Sequence, residues 1–216
     1  MYTLHGFSQS GNTYKVALTL QLLQQPWTAR HVPLAEFAGG LTRTEGWRQA
    51  ENEMGEVPIL EVDGKRLTQS AAILLFLAER HGRFGGANDD ERQDVLRWLF
   101  FDNHKFTSYF ATWRFMKSFA PTAPDPALEA WFKGRIANAF GIVDKHLAGQ
   151  PFMVGGAPTI ADLSMCGYLF FPVEESGIDV AASYPAIAAW RERIRALPGW
   201  QPPYQLLPGK QVAPRW

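Results

Sequence analysis

Val16, Leu20 and Leu23 recur at the i, i+4, i+7 spacing of one helix face, which predicts a helix from about Thr13 to Gln24 with that face buried. Ahead of it, YTLHGF (2–7) reads as a short strand. Asn12 or Thr13 can cap the helix by accepting from its first free N–H groups. TARHVPL (28–34) predicts a second strand, whereas residues 35–55 carry Gly39, Gly40 and Gly46 and read as a long loop with at most a short helix around Trp47 to Glu51. VPILEVDGKRLT (57–68) predicts two strand segments joined at Asp63-Gly64, a dipeptide that suits a two-residue hairpin. SAAILLFLAERH (70–81) then predicts a helix with Ser70 as its cap.

After GRFGGAND (82–89) the strand patterns stop and long helical ones begin. One runs from about Asp89 to Phe119, APTAPDP (120–126) breaks it, and helices resume at about 127–148, 159–171 and 184–196, with an irregular Pro-rich tail. The order is βαβ, loop, ββα, then all-α. It divides the chain into residues 1–81, a linker over 82–88, and a helical part over 89–216.

The 216 residues, 46% of them hydrophobic, can build a real core. Lys+Arg and Asp+Glu both number 21, so no charge bias points to nucleic acid or an anionic membrane surface, and small molecules or proteins are the expected ligands. The single cysteine, Cys166, excludes an internal disulfide framework and a four-cysteine zinc site, and suggests a reducing compartment, with the cytoplasm as the expected location. Its setting, LSMCGYLFF, reads as buried core. No run approaches the ~20 apolar residues of a membrane span, and the N-terminus lacks the basic-then-apolar layout of a signal peptide. His5, His31, His81, His104 and His146 show no metal-ligand spacing, so no metal is expected.

Three stretches suit an anionic or peptide-like ligand. A strand entering a helix through Ser10-Gly11-Asn12 aims free N–H groups and the positive end of the helix dipole above the turn, where Ser10 and Asn12 can add donors. Capping and turn formation alone would also account for these residues. Val57-Pro58 opens a strand with a proline, and a cis bond there would let Val57 offer its N–H and C=O to a peptide-like ligand, whereas an ordinary trans edge proline is the alternative. Gln69 and Ser70, at a helix start, can hold the carboxylate of an amino acid or serve only as its cap.

With SGNTYKV, AENEMGEVPILEVDG, TQSAAILLFLAE, PTIADL and YPAIAAWRERIRALPGW in register, residues 1 to about 200 resemble the soluble glutathione transferase superfamily. The resemblance implies an α/β thioredoxin-like N-terminal domain followed by an all-α C-terminal domain, a homodimer, and glutathione as co-substrate without a metal. It implies that Val57 and cis-Pro58 pair with the cysteinyl backbone of glutathione, and that Gln69 and Ser70 hold its γ-glutamyl end. Thr159 and Asp162 match the family's capping box, a folding feature. Arg43 and Gln49 lie in the loop expected to hold the glycine carboxylate.

Transferase classes place Tyr, Ser, Cys, Thr or Asn in the first turn. Counting back from Lys15, Ser10 falls where the zeta-like class has its catalytic Ser and Asn12 where that class has a Cys; the nu-like class of bacteria has Thr and Asn in the same two places. Ser10 is therefore the first candidate and Asn12 the second, with Ser8 a weaker alternative and Tyr2 and Tyr14 structural. Gly11 and Asn12 replace the second Ser and the Cys of the zeta-like SSCSWR pattern, which argues against a cis–trans isomerase. With no cysteine in the turn, the thiol must arrive with the ligand, and the polar turn would lower its pKa.

Residues 98–119 hold nine aromatic side chains, too many for one buried stripe, so some are expected to line an apolar cleft or a subunit interface. Phe106, Phe110 and Trp113 are the candidates for the acceptor pocket. Whether Asp102 reaches a ligand across a dimer is open. The expected activity is attack of bound glutathione thiolate on an electrophilic small molecule, as in detoxifying transferases. The alternatives are a glutathione-dependent disulfide or peroxide reductase, and a non-catalytic relative used for protein interaction or ligand binding.

Overall fold

The computed structural model describes residues Met1–Trp216, the side chain of Glu36 excepted. Strand β1 (Tyr2–Gly6) leads through α1 (Gly11–Leu22) into the parallel strand β2 (Trp27–His31). After the connecting segment, β3 (Ile59–Val62) lies antiparallel on the other side of β1 with Leu4 opposite Leu60, and β4 (Lys65–Thr68) completes the order β2-β1-β3-β4. Asp63 and Gly64, at φ 51° and 74°, turn the β3–β4 hairpin in the left-handed conformations that such a turn requires at both central residues.

Helix α1 begins two residues earlier than its apolar periodicity predicts, because Ser10, rather than Asn12 or Thr13, is its cap. Val16, Leu20 and Leu23 are buried, and so is nearly every other residue of the helix, which lies between the sheet and the helical domain. The stretch read as a loop with at most a short helix around Trp47 to Glu51 has that helix as α3 (Glu45–Ala50), and before it folds α2 (Leu34–Ala38) and a 3-10 turn (Leu41–Arg43) that the reading missed. Gly39 and Gly40 end α2 rather than prevent it, and Thr44 caps α3 by accepting from the Trp47 N–H. Helix α4 spans Ser70–His81, with its cap position taken by Gln69 and Ser70 already inside it.

The long helical pattern after the linker is α5 (Asp89–Phe101), a π turn (Asp102–Phe106) and α6 (Thr107–Ser118). Helix α7 (Pro126–Leu147) packs on α6, with Phe106 stacked on Phe140, while α8 (Ile160–Met165) ends in a 3-10 turn, Cys166–Tyr168, sooner than its pattern suggests. The reciprocal Thr159–Asp162 capping box starts α8. Short α9 (Val180–Ser183), α10 (Pro185–Arg195) and the single turn α11 (Pro203–Leu206) follow. No helix among the described residues is long and apolar enough to cross a membrane.

Contacts at α1 and at the turn ahead of it bind the halves together. Lys15, wholly buried, pairs with buried Asp102 of the π turn at 2.9 Å, so Asp102 is committed inside its own chain. Beyond α11 the tail returns over the first domain, where Ser8 N–H donates to the Pro208 carbonyl at 3.0 Å.

Candidate functional site

The turn from β1 into α1 leaves the helix N-terminus open toward a cleft between the domains. The Ser10 Oγ accepts from the Thr13 N–H at 3.1 Å, so the hydroxyl still has its proton to donate. The first turn of α1 contains no acidic residue, so no carboxylate of its own offsets the positive end of the helix dipole. Asn12 is half-buried, and its Oδ1 accepts from Ser70 Oγ at 3.4 Å, leaving its amide N–H groups as donors. Ser8 is withdrawn from this face: it is fully buried beneath Gly209, where an added Cβ would come within 2.5 Å of its Oγ. Tyr2 and Tyr14 are also buried, with Tyr2 Oη paired to His81 and Tyr14 Oη donating to the Gln201 carbonyl.

The opposite wall is the segment entering β3. The Val57-Pro58 peptide bond is cis, and Val57 precedes the ladder, which begins at Ile59. Gln69, at φ 64°, donates its amide to Glu56 Oε2 at 3.1 Å. Glu56 carried no assignment from the sequence, and it brings a carboxylate to the rim.

Ser10, Asn12, Glu56 and Val57 share one cavity of about 190 Å³ with Phe7, Leu34 and Phe37 of the first domain and Ala111, Arg114, Phe115, Phe119 and Tyr168 of the second. Arg114 is buried, donating to the Gln9 carbonyl at 2.8 Å and forming an ion pair with buried Glu175, which in turn accepts from the Tyr204 hydroxyl at 2.7 Å. Its guanidinium carbon lies 3.8 Å from the Phe171 ring centre, so the charge is held rigidly at the floor. A larger cavity of about 670 Å³ lies elsewhere, between α4, the linker and the residues leading into α8.

Phe106, Phe110 and Trp113 do not line this cleft. Phe106 packs on Phe140, Phe110 is tilted against the same ring, and the Trp113 indole N–H donates to the Ser176 carbonyl at 2.7 Å. These residues form the core-facing stripe of the helix, whereas the face rotated from it presents Ala111, Phe115 and Phe119 to the cavity. Arg43 and Gln49 are exposed and outside the cavity lining, with Gln49 donating to Glu45 at 2.7 Å.

Tertiary structure also brings His5, Glu51 and Glu61 within 4.8 Å of one another, a grouping from three separate chain segments that sequence spacing does not reveal. Arg30 and Arg66 pair with these carboxylates at 2.9–3.5 Å, so opposite charge is already supplied. Burial lowers the His5 pKa, with the neighbouring carboxylates pulling the other way. Cys166 is buried and donates toward the Leu163 carbonyl, and burial pushes its thiol pKa upward, as suits an inert core residue.

Residues 4–87 match the model of the glutathione S-transferase N-terminal domain and residues 128–198 that of the C-terminal domain. A glutathione S-transferase structure from Pseudomonas fluorescens Pf-5 superposes with a TM-score of 0.82 at 33% identity, covering 94% of this chain and 98% of that one. The disulfide-bond oxidoreductase YfcG of Escherichia coli K12 is 29% identical over 199 residues, 89% of each chain. The maleylacetoacetate isomerase of Rhizobium meliloti is also 29% identical, over 92% of this chain and 93% of its own. With both family domains matched in order and the four-stranded sheet and helical domain in place, the chain belongs to the soluble glutathione S-transferase superfamily.

Proposed function

We propose that this protein binds glutathione with its sulfur above the N-terminus of α1 and delivers it as a thiolate to an electrophilic carbon. The observation that carries the reading is the Ser10 hydroxyl at an α1 N-terminus without acidic residues, opening on a cavity walled by Val57 and by apolar side chains such as Phe7, Leu34 and Phe115. Helix N-termini and nearby donors lower thiol pKa values from about 8.5 to as low as about 3.5–7.5, with each unit worth about 1.4 kcal/mol. The thiol proton passes to water, Ser10 and the Asn12 amide donate to the sulfur, and the sulfur forms a C–S bond as the leaving group departs with its electron pair. Val57 would pair with the cysteinyl backbone, and Gln69, Ser70 and Glu56 would hold the γ-glutamyl end, whose ammonium suits the Glu56 carboxylate. Arg43 and Gln49 stay candidates for the glycine carboxylate at the exposed rim.

Phe115 and Phe119 replace Phe106, Phe110 and Trp113 as the acceptor-side rings in this reading. The active-site turn is of the zeta-like or nu-like kind, and we place the protein in the cytoplasm as a homodimer acting on electrophiles in detoxification. Titration calorimetry with glutathione, paired with an ultraviolet difference spectrum of the bound thiol, tests it: binding with a thiolate signal is expected, and no binding at millimolar glutathione would overturn it. The likeness to a disulfide-bond oxidoreductase favours a second reading, in which two glutathione molecules reduce one disulfide to two thiols and leave glutathione disulfide. Faster turnover of a small disulfide than of an aryl halide would select it.

A further inference from the structure

Tyr168 belongs to the helical domain, yet it reaches the first turn of α1. A Cβ added at Gly11 would stand 2.4–2.5 Å from ring carbons of Tyr168, so glycine at this helical position is what admits the ring. The adjoining Gly167 makes the reciprocal fit: a Cβ there would stand 2.4 Å from Lys15 Cγ and 3.0 Å from the Gly11 carbonyl oxygen. The 3-10 turn that ends α8 is therefore seated directly on α1, and Tyr168 lines the same cavity as Ser10 and Asn12.

We infer that Tyr168 is a second hydroxyl donor to the glutathione sulfur, so that the thiolate site is complete only where the two domains meet. This rests on the thiolate reading proposed above. Burial raises the Tyr168 phenol pKa, outweighing the opposing pull of Arg114, the Asn12 and Gly11 backbone N–H groups and the Ser10 hydroxyl. A phenol kept protonated at neutral pH still has its O–H to donate. Tyr168 keeps its proton and donates a hydrogen bond, while the proton lost from the thiol goes to water, so the step needs no co-reactant. Arg114 supports the arrangement from below, with its guanidinium carbon 5.8 Å from the Tyr168 ring centre.

The test is the pH titration of bound glutathione, followed by thiolate absorbance, in the wild type, in Tyr168→Phe, and in protein carrying 3-fluorotyrosine at position 168. Phenylalanine keeps the ring over Gly11 and removes only the hydroxyl, so the bound thiol pKa should rise by about one unit, a tenfold lower thiolate fraction below that pKa. The fluorinated phenol is a stronger donor and should shift the thiol pKa downward, which also decides the matter if Tyr168→Phe folds poorly. An unchanged thiol pKa in the substituted proteins, even with altered glutathione affinity, would overturn the inference while leaving the transferase reading intact. Failure of the wild type to bind glutathione would overturn both.

Discussion

Replacing Asp102 with leucine strands the Lys15 ammonium where water does not reach. Both side chains are 0% exposed and their Nζ–Oδ2 distance is 2.9 Å; Ser164 donates to the same carboxylate oxygen at 2.6 Å and Thr107 to the other. Removing one member of such a pair costs about 3–5 kcal/mol, because the remaining charge is left buried and unpaired. In a chain of 216 residues, at about 2–4 °C per kcal/mol, Tm should fall by roughly 6–20 °C. The double variant Lys15→Met/Asp102→Leu removes both charges and should recover about 2 kcal/mol or more of the single variant's loss, the remainder being the Ser164 and Thr107 hydroxyls left short of an acceptor. The assay is equilibrium urea unfolding followed by tryptophan fluorescence and far-ultraviolet circular dichroism, whose coincidence checks that the two domains unfold together. The pair joins α1 to the π turn, so Asp102→Leu should also weaken glutathione binding and the double variant restore it. A loss below about 1 kcal/mol, or a double variant no more stable than Asp102→Leu, would refute the charge-burial reasoning.

Other expectations follow from the same geometry. Ser10→Ala should raise the pKa of bound glutathione and also cost about 1 kcal/mol of stability through the lost cap, while Ser10→Thr should retain both functions; equal thiol titrations in all three proteins would remove Ser10 from the chemistry. Phe115→Ala should raise KM for an apolar acceptor with little change in glutathione affinity, whereas Phe106→Ala should cost about 3–5 kcal/mol of stability, so a reversed pattern in kinetics and melting would return the pocket to the core stripe. His5 resists protonation in the folded protein while the unfolded chain binds its proton near pH 6.5, so this histidine should lower stability as pH falls below about 6.5. His5→Asn should flatten that part of the urea-stability profile, and an unchanged slope would show that other groups set it.

Where local chemistry and local geometry coincide, the sequence was enough. Asp63-Gly64 specified the hairpin because both turn residues tolerate positive φ, and the Thr159–Asp162 box specified a helix start because both partners lie within one turn. The helix over 70–81 was placed correctly although its cap position is Gln69 and not Ser70, and the order of elements with its joint motifs carried the family. The reading failed where one local signal masked another: glycines suggested a loop over most of 35–55, yet Gly39 ends α2 rather than preventing it, and only the short helix around Trp47, capped by Thr44, was anticipated.

The composition of the site was legible only in its near half. Ser10, Asn12 and Val57 lie close to element boundaries whose backbone geometry is local, so their place at the cavity could be anticipated. Arg114, Phe115, Phe119 and Tyr168 arrive from the other domain, and which face of α6 looks into the cleft depends on how the helix is rotated when its opposite stripe packs on α7. Apolar spacing determines that a helix has a buried face; with nine aromatic residues over 98–119 it does not determine which rings fill that face and which are left for a ligand. That choice, like the seating of Tyr168 on Gly11 and of Lys15 on Asp102, was decided by tertiary structure, because it depends on shape and charge meeting across about 30 to 160 residues of chain.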